Sequence, residues 1–525
     1  MSAAAIGAPA AAPARDAIDK RRVLAFFGMV LGMFMSILDI QIVSASLSEI
    51  QAGLAAGADE VTWVQTSYLI AEVVMIPLSG FLARTFSTRT LFTVCAAGFT
   101  LMSFLCAQAT SIEQMIVFRA LQGFIGGGMI PSVFSAAFTI FPPKVRIVVQ
   151  PIIGLVATLA PTIGPTAGGY LTEIFSWHWL FLINVAPGIL VTVMAWSLID
   201  FDEPDYSLLD NFDWTGLISM SVFLGALEYV LEEGPSKNWF DENIIVYSAL
   251  ASAVGALVFF WRSYVSTNPV VDLKIRNGSF WTGCIFSFVL GIGLYGLTYV
   301  YPVYLARVRG DTALQIGETL FVTGLTQFLT APVAGRLAMR VDGRILLALG
   351  FGLFAFSSWM MTGMTKDWDF WNIFAPQILR GASLMLCMVP LNAVALGSLR
   401  PQDVKNASGV FNLTRNLGGA VGLAIINTMI NRRWDLHLQQ LREQVNWGSQ
   451  TALEWLNKMT GAFASLPDPQ LAATRQIANY VRREALVMAL ADVFMLIAVM
   501  FAAMIFMTLF IRKPALLGAE TSSGH

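Results

Sequence analysis

Charged side chains are scarce in this sequence, because Asp, Glu, Lys and Arg together make up only 13% of its 525 residues. Ordinary soluble domains carry about a quarter, so a largely water-covered chain is excluded. Hydrophobic residues account for 56%, which is typical of a chain whose main solvent is a lipid bilayer. The net charge of −2 provides no sustained positive field, and nucleic acid is therefore not an expected partner.

Cysteine and histidine are also rare, with four and three residues respectively. The cysteines lie in apolar stretches without paired spacing, so neither a disulfide framework nor a zinc site is predicted. The chain has no HExxH, Walker or G-x-S-x-G motif, which argues against a metalloenzyme, an ATP-driven pump and a serine hydrolase. We expect no enzyme activity, no metal and no organic cofactor, and an ion gradient as the source of energy.

Long apolar runs are abundant instead. A spanning helix needs about 20 mostly apolar residues, and fourteen runs approach this length. They cover 23–47, 63–82, 90–109, 113–137, 147–170, 179–199, 214–231, 244–265, 280–304, 314–339, 345–364, 373–396, 408–430 and 485–511. The first run is too long for the apolar region of a signal peptide, so we expect it to be retained. The predicted fold class is an all-α integral membrane protein with 14 transmembrane helices.

Basic residues concentrate in alternate loops, among them 84–90 and 336–344. Because Lys and Arg favour the cytoplasmic side, both termini are predicted to be cytoplasmic. The purely acidic loop 200–213 does not follow this bias, but acidic residues contribute little to it.

An internal repeat relates spans 1 to 6 to spans 9 to 14. The matched features are Pro77, Gly80 and Arg89 with Pro332, Gly335 and Arg344, then Arg119 with Arg380, and the doublet 168–169 with 418–419. We therefore predict two six-helix bundles, with spans 7 and 8 inserted between them. The predicted divisions are a disordered tail 1–22, a first bundle 23–199, a linker with two inserted helices 200–265, a second bundle 280–511 that includes the loop 431–484, and a tail 512–525.

Ionisable residues within the spans are candidates for function, because a charge at mid-bilayer costs at least about 2.5 kcal/mol. Asp39, Glu72 and Arg119 are predicted to couple transport to protons, since Arg119 needs a carboxylate partner that Asp39 or Glu72 could supply. A structural ion pair for Asp39 and an interhelical hydrogen bond for Glu72 are the alternatives. Interfacial snorkelling or capping is favoured for three further acids near span ends. These are Glu228, Glu318 and Asp492.

Polar residues on the same helical stripes are predicted to line a substrate cavity. They are Ser36, Gln65, Tyr68 and Gln122 in the first half, with Gln377, Asn392 and Asn412 in the second. Glycine and proline positions are predicted to allow close helix packing and gating. They are Gly80, Arg89, Gly123, Gly126, Gly164, Pro165, Gly168, Gly169, Gly335 and Arg344, where the two arginines belong to the basic loops.

Several of these motifs resemble those of the major facilitator superfamily, and specifically of its fourteen-span drug:proton antiporters, the EmrB-like multidrug exporters. The resemblance lies in Leu38–Asp39, the loop 80–89, the helix 4 motif 119–127, the helix 5 motif 164–169, and the stretches 177–185 and 408–419. It implies two bundles around a central cavity, alternating access, and export of drug-like molecules driven by protons across a bacterial inner membrane. Arg84 stands where the loop motif usually has an acid, so another contact must close the inner side.

The segment 431–484 resembles the periplasmic region of these exporters. It implies docking of a periplasmic adaptor, an EmrA-like membrane fusion protein, and hence a tripartite pump with an outer-membrane channel. A solvated cap over the cavity is the alternative.

Two other functions stay open. A proton-coupled uptake symporter uses the same fold, although the helix 5 motif argues against it. An intramembrane lipid-modifying enzyme is the alternative from a different class.

Overall fold

The computed structural model describes residues 19–44, 46–210, 212–397, 399–446, 448–465 and 467–510, and every regular element in these ranges is helical. The all-α prediction is confirmed. The predicted terminal tails lie largely outside the described residues, and Lys20 already begins the first helix.

The first half of the chain contains nine helices within the described residues. They are α1 Lys20–Ser44, α2 Leu47–Gly53, α3 Ala58–Val61, α4 Trp63–Ala107, α5 Ile112–Gly126, α6 Met129–Ile140, α7 Pro143–Ile174, α8 Trp179–Leu182 and α9 Val185–Leu198. Two inserted helices follow, α10 Trp214–Glu233 and α11 Asn243–Val265. The second half contains α12 Gly278–Tyr304, α13 Ala313–Arg340, α14 Gly343–Met361, α15 Phe370–Leu396, α16 Pro401–Gln444, α17 Gln450–Ala462 and α18 Pro469–Met507.

Eleven helical stretches of the described chain are long and apolar enough to cross a membrane. The 45-residue α4 covers two predicted spans, while α13 and α16 coincide with predicted spans but are too polar to be among the eleven. The predicted count of 14 is thus not reproduced by length and apolarity alone. The division of the chain into domains also stays a prediction.

The loop predicted at 84–90 is mostly helical, with a break at Ser87, where φ is +72°. This left-handed conformation is strained for a residue with a side chain. The acidic linker compensates for the break, because Asp202 Oδ2 accepts hydrogen bonds from Thr88 N at 2.8 Å and Thr88 Oγ1 at 2.6 Å. The linker therefore packs against the break in α4.

Small residues bring helices of the first half into close contact. A Cβ atom on Gly168 of α7 would lie 2.6 Å from Ile42 O of α1, and one on Gly123 of α5 would lie 2.9 Å from Tyr68 Cα of α4. Contacts this close require glycine, because a methyl group would overlap the neighbouring backbone. These approaches hold α7 against α1 and α5 against α4.

The two halves meet along α4 with α16 and α7 with α13. At the end that carries the basic loops, hereafter the basic end, a Cβ on Gly80 would lie 2.9 Å from Lys405 O and one on Gly409 would lie 3.1 Å from Ile76 O. The halves are therefore in backbone contact at the basic end.

Candidate functional site

A buried ion pair links the first and fifth helices. Arg119 Nη1 lies 2.5 Å from Asp39 Oδ2, and both side chains are fully buried, with 0% exposure. Of the two carboxylates that the sequence offered as partners, the structure pairs Arg119 with Asp39. Because neither charge has access to water, each depends on the other and on neighbouring dipoles for stabilisation.

Polar groups complete the surroundings of the pair. Asn184 Nδ2 donates to Asp39 Oδ1 at 2.7 Å, and Gln122 Nε2 donates to the same oxygen at 3.4 Å. Arg119 donates through Nη1 to Gln122 Oε1 at 2.7 Å and through Nε to Val64 O at 3.1 Å. These bonds compensate part of the desolvation of the two charges, because hydrogen bonds satisfy lone pairs and N–H groups that the ion pair leaves over.

The guanidinium also lies against aromatic rings, with Arg119 Cζ 4.2 Å from the centroid of the Tyr68 ring. The Tyr68 hydroxyl is 3.4 Å from Ser36 Oγ. Nη2 of Arg119 has no hydrogen-bond partner within the described part of the chain. The cluster is thus compact but leaves one cationic N–H group available to another acceptor.

Glu72 lies one turn beyond Tyr68 on α4 but is not bonded to Arg119. Its side chain is buried, with 3% exposure, and Oε1 has no hydrogen-bond partner among the described residues. Glu72 instead lines a cavity of about 70 Å³ between the two halves. The predicted cavity residue Gln65 lines it as well.

The central cavity has walls from both halves and from the insertion. Helices α1, α4 and α6 contribute on one side, α12 and α16 on the other, and α10 supplies Glu228 and Glu232. On the side of the second half, Tyr295 OH donates to Asn416 Oδ1 at 3.3 Å. Glu228 is buried, with 6% exposure, and lines this cavity. The expectation that it snorkels or caps a helix is therefore wrong.

The other predicted cavity residues are buried outside this cavity. Ser36, Tyr68 and Gln122 belong to the cluster around Asp39. In the second half, Gln377 accepts from Thr323 Oγ1, Asn412 accepts from Arg415 Nη2, and neither amide atom of Asn392 has a partner among the described residues. Their role in substrate binding stays a prediction.

The predicted gating positions differ in their surroundings. Gly126 faces the Phe99 ring and Gly164 faces Gln41, whereas Pro165 and Gly169 are half-buried. Arg89 stacks over the Trp196 ring with 4.4 Å from Cζ to the centroid, while the Arg344 backbone N donates to Asp342 Oδ1 at 3.0 Å. Gly335 is buried beside a groove between α7 and α13.

A salt bridge joins the two halves at the basic end. Lys405 Nζ on α16 lies 2.5 Å from Asp202 Oδ2, which also holds Thr88 of α4. Lys405 Nζ donates in addition to Ala83 O at 3.3 Å. The acidic linker thus supplies a carboxylate, that of Asp202, to this contact.

Sequence reasoning missed several functional candidates. In the sequence, Asn184 stands out only as part of the motif 177–185 and Asp202 only as part of the acidic loop 200–213, because the sequence does not indicate which distant helix each one reaches. Glu232 carries one signal, since its spacing of four residues from Glu228 places both on one face of α10.

The chain is similar to known proteins over most of its length. The model of the Major Facilitator Superfamily matches residues 29–423. The chain is 40% identical over 490 residues to the colistin resistance protein EmrB of Acinetobacter baumannii, covering 93% of this chain and 96% of that protein. It is 28% identical over 506 residues to the multidrug export protein EmrB of Escherichia coli, covering 96% and 98%. It is 31% identical over 439 residues to the fatty acid resistance protein FarB of Neisseria gonorrhoeae, covering 83% and 86%.

Solved structures show the same fold at low sequence identity. The human organic anion transporter MFSD10 superposes with a TM-score of 0.60 at 12% identity, covering 92% of this chain and all of that one. A bacterial homologue of the human lysosomal transporter Spinster superposes with a TM-score of 0.53 at 16% identity, covering 95% and 100%. At these identities the likeness concerns the fold alone.

Proposed function

Since the chain belongs to the Major Facilitator Superfamily, we propose that it exports amphipathic drugs or other toxic small molecules across a bacterial inner membrane in exchange for protons. The chain is a multi-pass membrane transporter and not an enzyme. Relatives named for multidrug export and for colistin resistance support export as the direction of transport.

The buried pair of Asp39 and Arg119 is the observation that carries the proton coupling. A carboxylate sealed from water at both ends exchanges a proton only when a conformational change exposes it. Protonation of Asp39 would remove the attraction to Arg119, so the two protonation states favour different helix arrangements. This couples proton movement to alternating access.

The relation between charge and motion follows from the packing. Asp39 is on α1, Arg119 on α5 and Asn184 just before α9, so three helices of the first half share one titratable group. A change in the charge of that group alters the attraction among all three helices. We propose Asp39 as the primary proton carrier and the Arg119 guanidinium as its counter-ion.

Transport by reconstituted protein tests this function. Purified protein in vesicles with an imposed pH gradient is expected to move ethidium against its concentration gradient, and Asp39→Asn should lower the rate by about two orders of magnitude, because the amide cannot carry a proton. Dye fluorescence reports the rate. Asp435→Asn is the matched control, since Asp435 is exposed on the part of α16 that extends beyond the predicted span.

Three results would contradict the proposal. Ethidium movement that ignores the pH gradient would exclude proton coupling, and unchanged transport in Asp39→Asn would remove Asp39 from the mechanism. Accumulation in the direction of proton flow would favour an uptake symporter.

A periplasmic adaptor and an outer-membrane channel complete the proposal. Helices α16 and α18 extend beyond the predicted spans and precede and follow α17 in the chain. No residue of α17 is buried. A groove of about 420 Å³ runs between these helices, with Trp455, Met459 and Tyr480 in its wall. An exposed apolar groove far from the basic end suits a helical partner better than it suits solvent.

Copurification with an adaptor of the membrane fusion class from the same genome tests this assembly. Trp455→Asp is expected to reduce recovery of the adaptor about tenfold, because it places a charge in an apolar contact. Glu443→Gln, an exposed substitution on α16, is the control. Equal recovery with Trp455→Asp would leave the segment as a cap over the cavity.

A further inference from the structure

The central cavity carries three carboxylates and no fixed positive charge. Glu72 of α4 and Glu228 and Glu232 of α10 all line it, and none of the residues that line it in the described structure is Lys or Arg. The rest of the wall is mainly apolar, with Ile37, Leu69 and Ile130 among its members. A cavity whose charged residues are all acids is unusual within a membrane, where acids are normally paired.

Two of the three acids are strongly buried. Glu72 is 3% and Glu228 is 6% exposed, while Glu232 is half-buried. Oε1 of Glu72 has no hydrogen-bond partner, and none of the three forms a salt bridge within the described residues. An unpartnered carboxylate oxygen at a cavity wall points to a role in ligand binding, because a buried oxygen without a hydrogen bond costs free energy.

The nearby cations do not line the cavity. Arg119 pairs with Asp39, and Lys237 pairs with Glu233, with 3.6 Å between Nζ and Oε2. Arg415 donates to Asn412 and lies over the Phe134 ring, 5.2 Å from Cζ to the centroid. Compensation of the three acids must therefore come from protons or from a molecule that enters the cavity.

Helix α10 is a firm part of this wall. Tyr229 stacks on Trp63 of α4, with 5.5 Å between ring centroids, and Trp239, just beyond α10, donates from Nε1 to Thr428 Oγ1 of α16 at 2.9 Å. The inserted helix is thus attached to one helix of each half. Its two acids keep their places by packing and do not depend on a mobile loop.

We propose that Glu72, Glu228 and Glu232 bind the positively charged group of a cationic amphipathic substrate, and that the inserted helix α10 is part of the substrate site. This inference rests on the proposed export function and specifies its substrate class. At about 70 Å³ the cavity has room for a cationic head group or a few waters, whereas drug-sized ligands occupy about 300 Å³ or more. The apolar tail therefore binds after the two halves have moved apart.

The residues that line the cavity would then select ligands by their charge. A cation that displaces protons from these acids gains attraction from their carboxylates in a medium of low dielectric constant, whereas an anion gains no such attraction. A neutral molecule of the same shape retains the apolar contacts only. The site should accordingly rank ligands of equal size and apolarity by charge.

Binding of tetraphenylphosphonium to the purified full-length protein tests the proposal. Radiolabelled tetraphenylphosphonium, a permanent cation, should bind, and triphenylphosphine oxide, a neutral analogue, should compete at least about tenfold less well than unlabelled cation. Glu228→Gln and Glu72→Gln should each weaken binding of the cation at least about tenfold. Thermal unfolding midpoints confirm that each variant is folded.

Glu233→Gln is the matched control, because Glu233 follows Glu232 on α10 but pairs with Lys237 and does not line the cavity. It should bind the cation like the unchanged protein. Cation binding that is the same in Glu228→Gln and Glu72→Gln, or equal competition by the neutral analogue, would overturn the proposal.

The proposed function and this inference fail in different ways. Loss of cation binding in Glu228→Gln, together with pH-driven export of the neutral drug chloramphenicol that persists, would support a charge-selective site in a working exporter. Wild-type protein that exports neutral and cationic compounds equally under a pH gradient would overturn the inference and leave the function standing. Wild-type protein without any gradient-driven transport would overturn the function, and the binding measurements would still decide the inference.

Discussion

The two halves of the molecule carry matching arginines in different surroundings. Arg119 on α5 pairs with the carboxylate of Asp39 on α1. Arg380, its counterpart in the repeat, lies on α15 and donates from Nη2 to Thr298 Oγ1 of α12 at 3.0 Å. In each half, the arginine therefore bonds to the corresponding helix, α1 in the first half and α12 in the second. Its partner is a carboxylate in the first half and a hydroxyl in the second.

The difference extends to the rest of each guanidinium. Arg380 is 1% exposed, lies 5.1 Å from the centroid of the Tyr301 ring, and has no partner for Nε and Nη1 within the described residues. Both halves therefore keep an aromatic contact to the arginine, but only the first half compensates its charge with an acid. The two contacts share their geometry, but among the described residues a titratable partner is present in the first half only.

This comparison indicates that the two halves have different roles. Proton-dependent changes in attraction can arise where a carboxylate faces a cation, as at Asp39, whereas Thr298 does not titrate in the physiological range. Under the proposed function, the second half would be the structural counterpart against which the first half moves. The predictions below separate these two roles.

Removal of each arginine should give the largest contrast. Arg119→Met is expected to destabilise the protein by about 3–5 kcal/mol, because it leaves the buried Asp39 without its counter-ion. Arg380→Met should be close to neutral or stabilising, because it orphans no carboxylate and removes two unpartnered donors. Unfolding in mixed micelles at neutral pH measures both free energies.

A double substitution serves as the control for that contrast. Asp39→Asn combined with Arg119→Met removes both charges and should recover most of the stability that Arg119→Met loses. Equal destabilisation by Arg119→Met and Arg380→Met would show that the two halves do not differ in the way their charges are compensated.

Much of the fold and part of this contrast could be predicted from the sequence. Apolar length predicts the all-α membrane fold class, which is confirmed, and the repeat of Arg119 as Arg380 identifies both arginines, because spacing along one helix is a local property. The pairing of Arg119 with Asp39 was one of two options that the sequence left open, since a choice between two acids depends on how α1 and α4 are rotated. Helix rotation is set by packing contacts such as Gly123 against Tyr68.

Contacts between distant segments were beyond sequence reasoning for the same reason. Asp202 reaches Lys405 across 203 positions of sequence, and Asn184 reaches Asp39 across 145. Such partners are not separated by a helical or strand period, so no local pattern reports them. The cavity acids of α10 show the same limit, because the insertion has no counterpart within the repeat.

Thr298→Val should give a smaller effect than Arg119→Met and sharpen the comparison most. The substitution keeps the shape of the side chain but removes the hydrogen-bond acceptor of Arg380, so we expect a loss of about 1–3 kcal/mol in unfolding free energy. Thr298→Ser keeps the hydroxyl and should behave like the unchanged protein in the same measurement. The pH dependence of ethidium export should be unaffected by either substitution, because no titratable group has been removed. A shifted pH profile in Thr298→Val would place part of the proton coupling in the second half, and the division between the halves would then have to be abandoned.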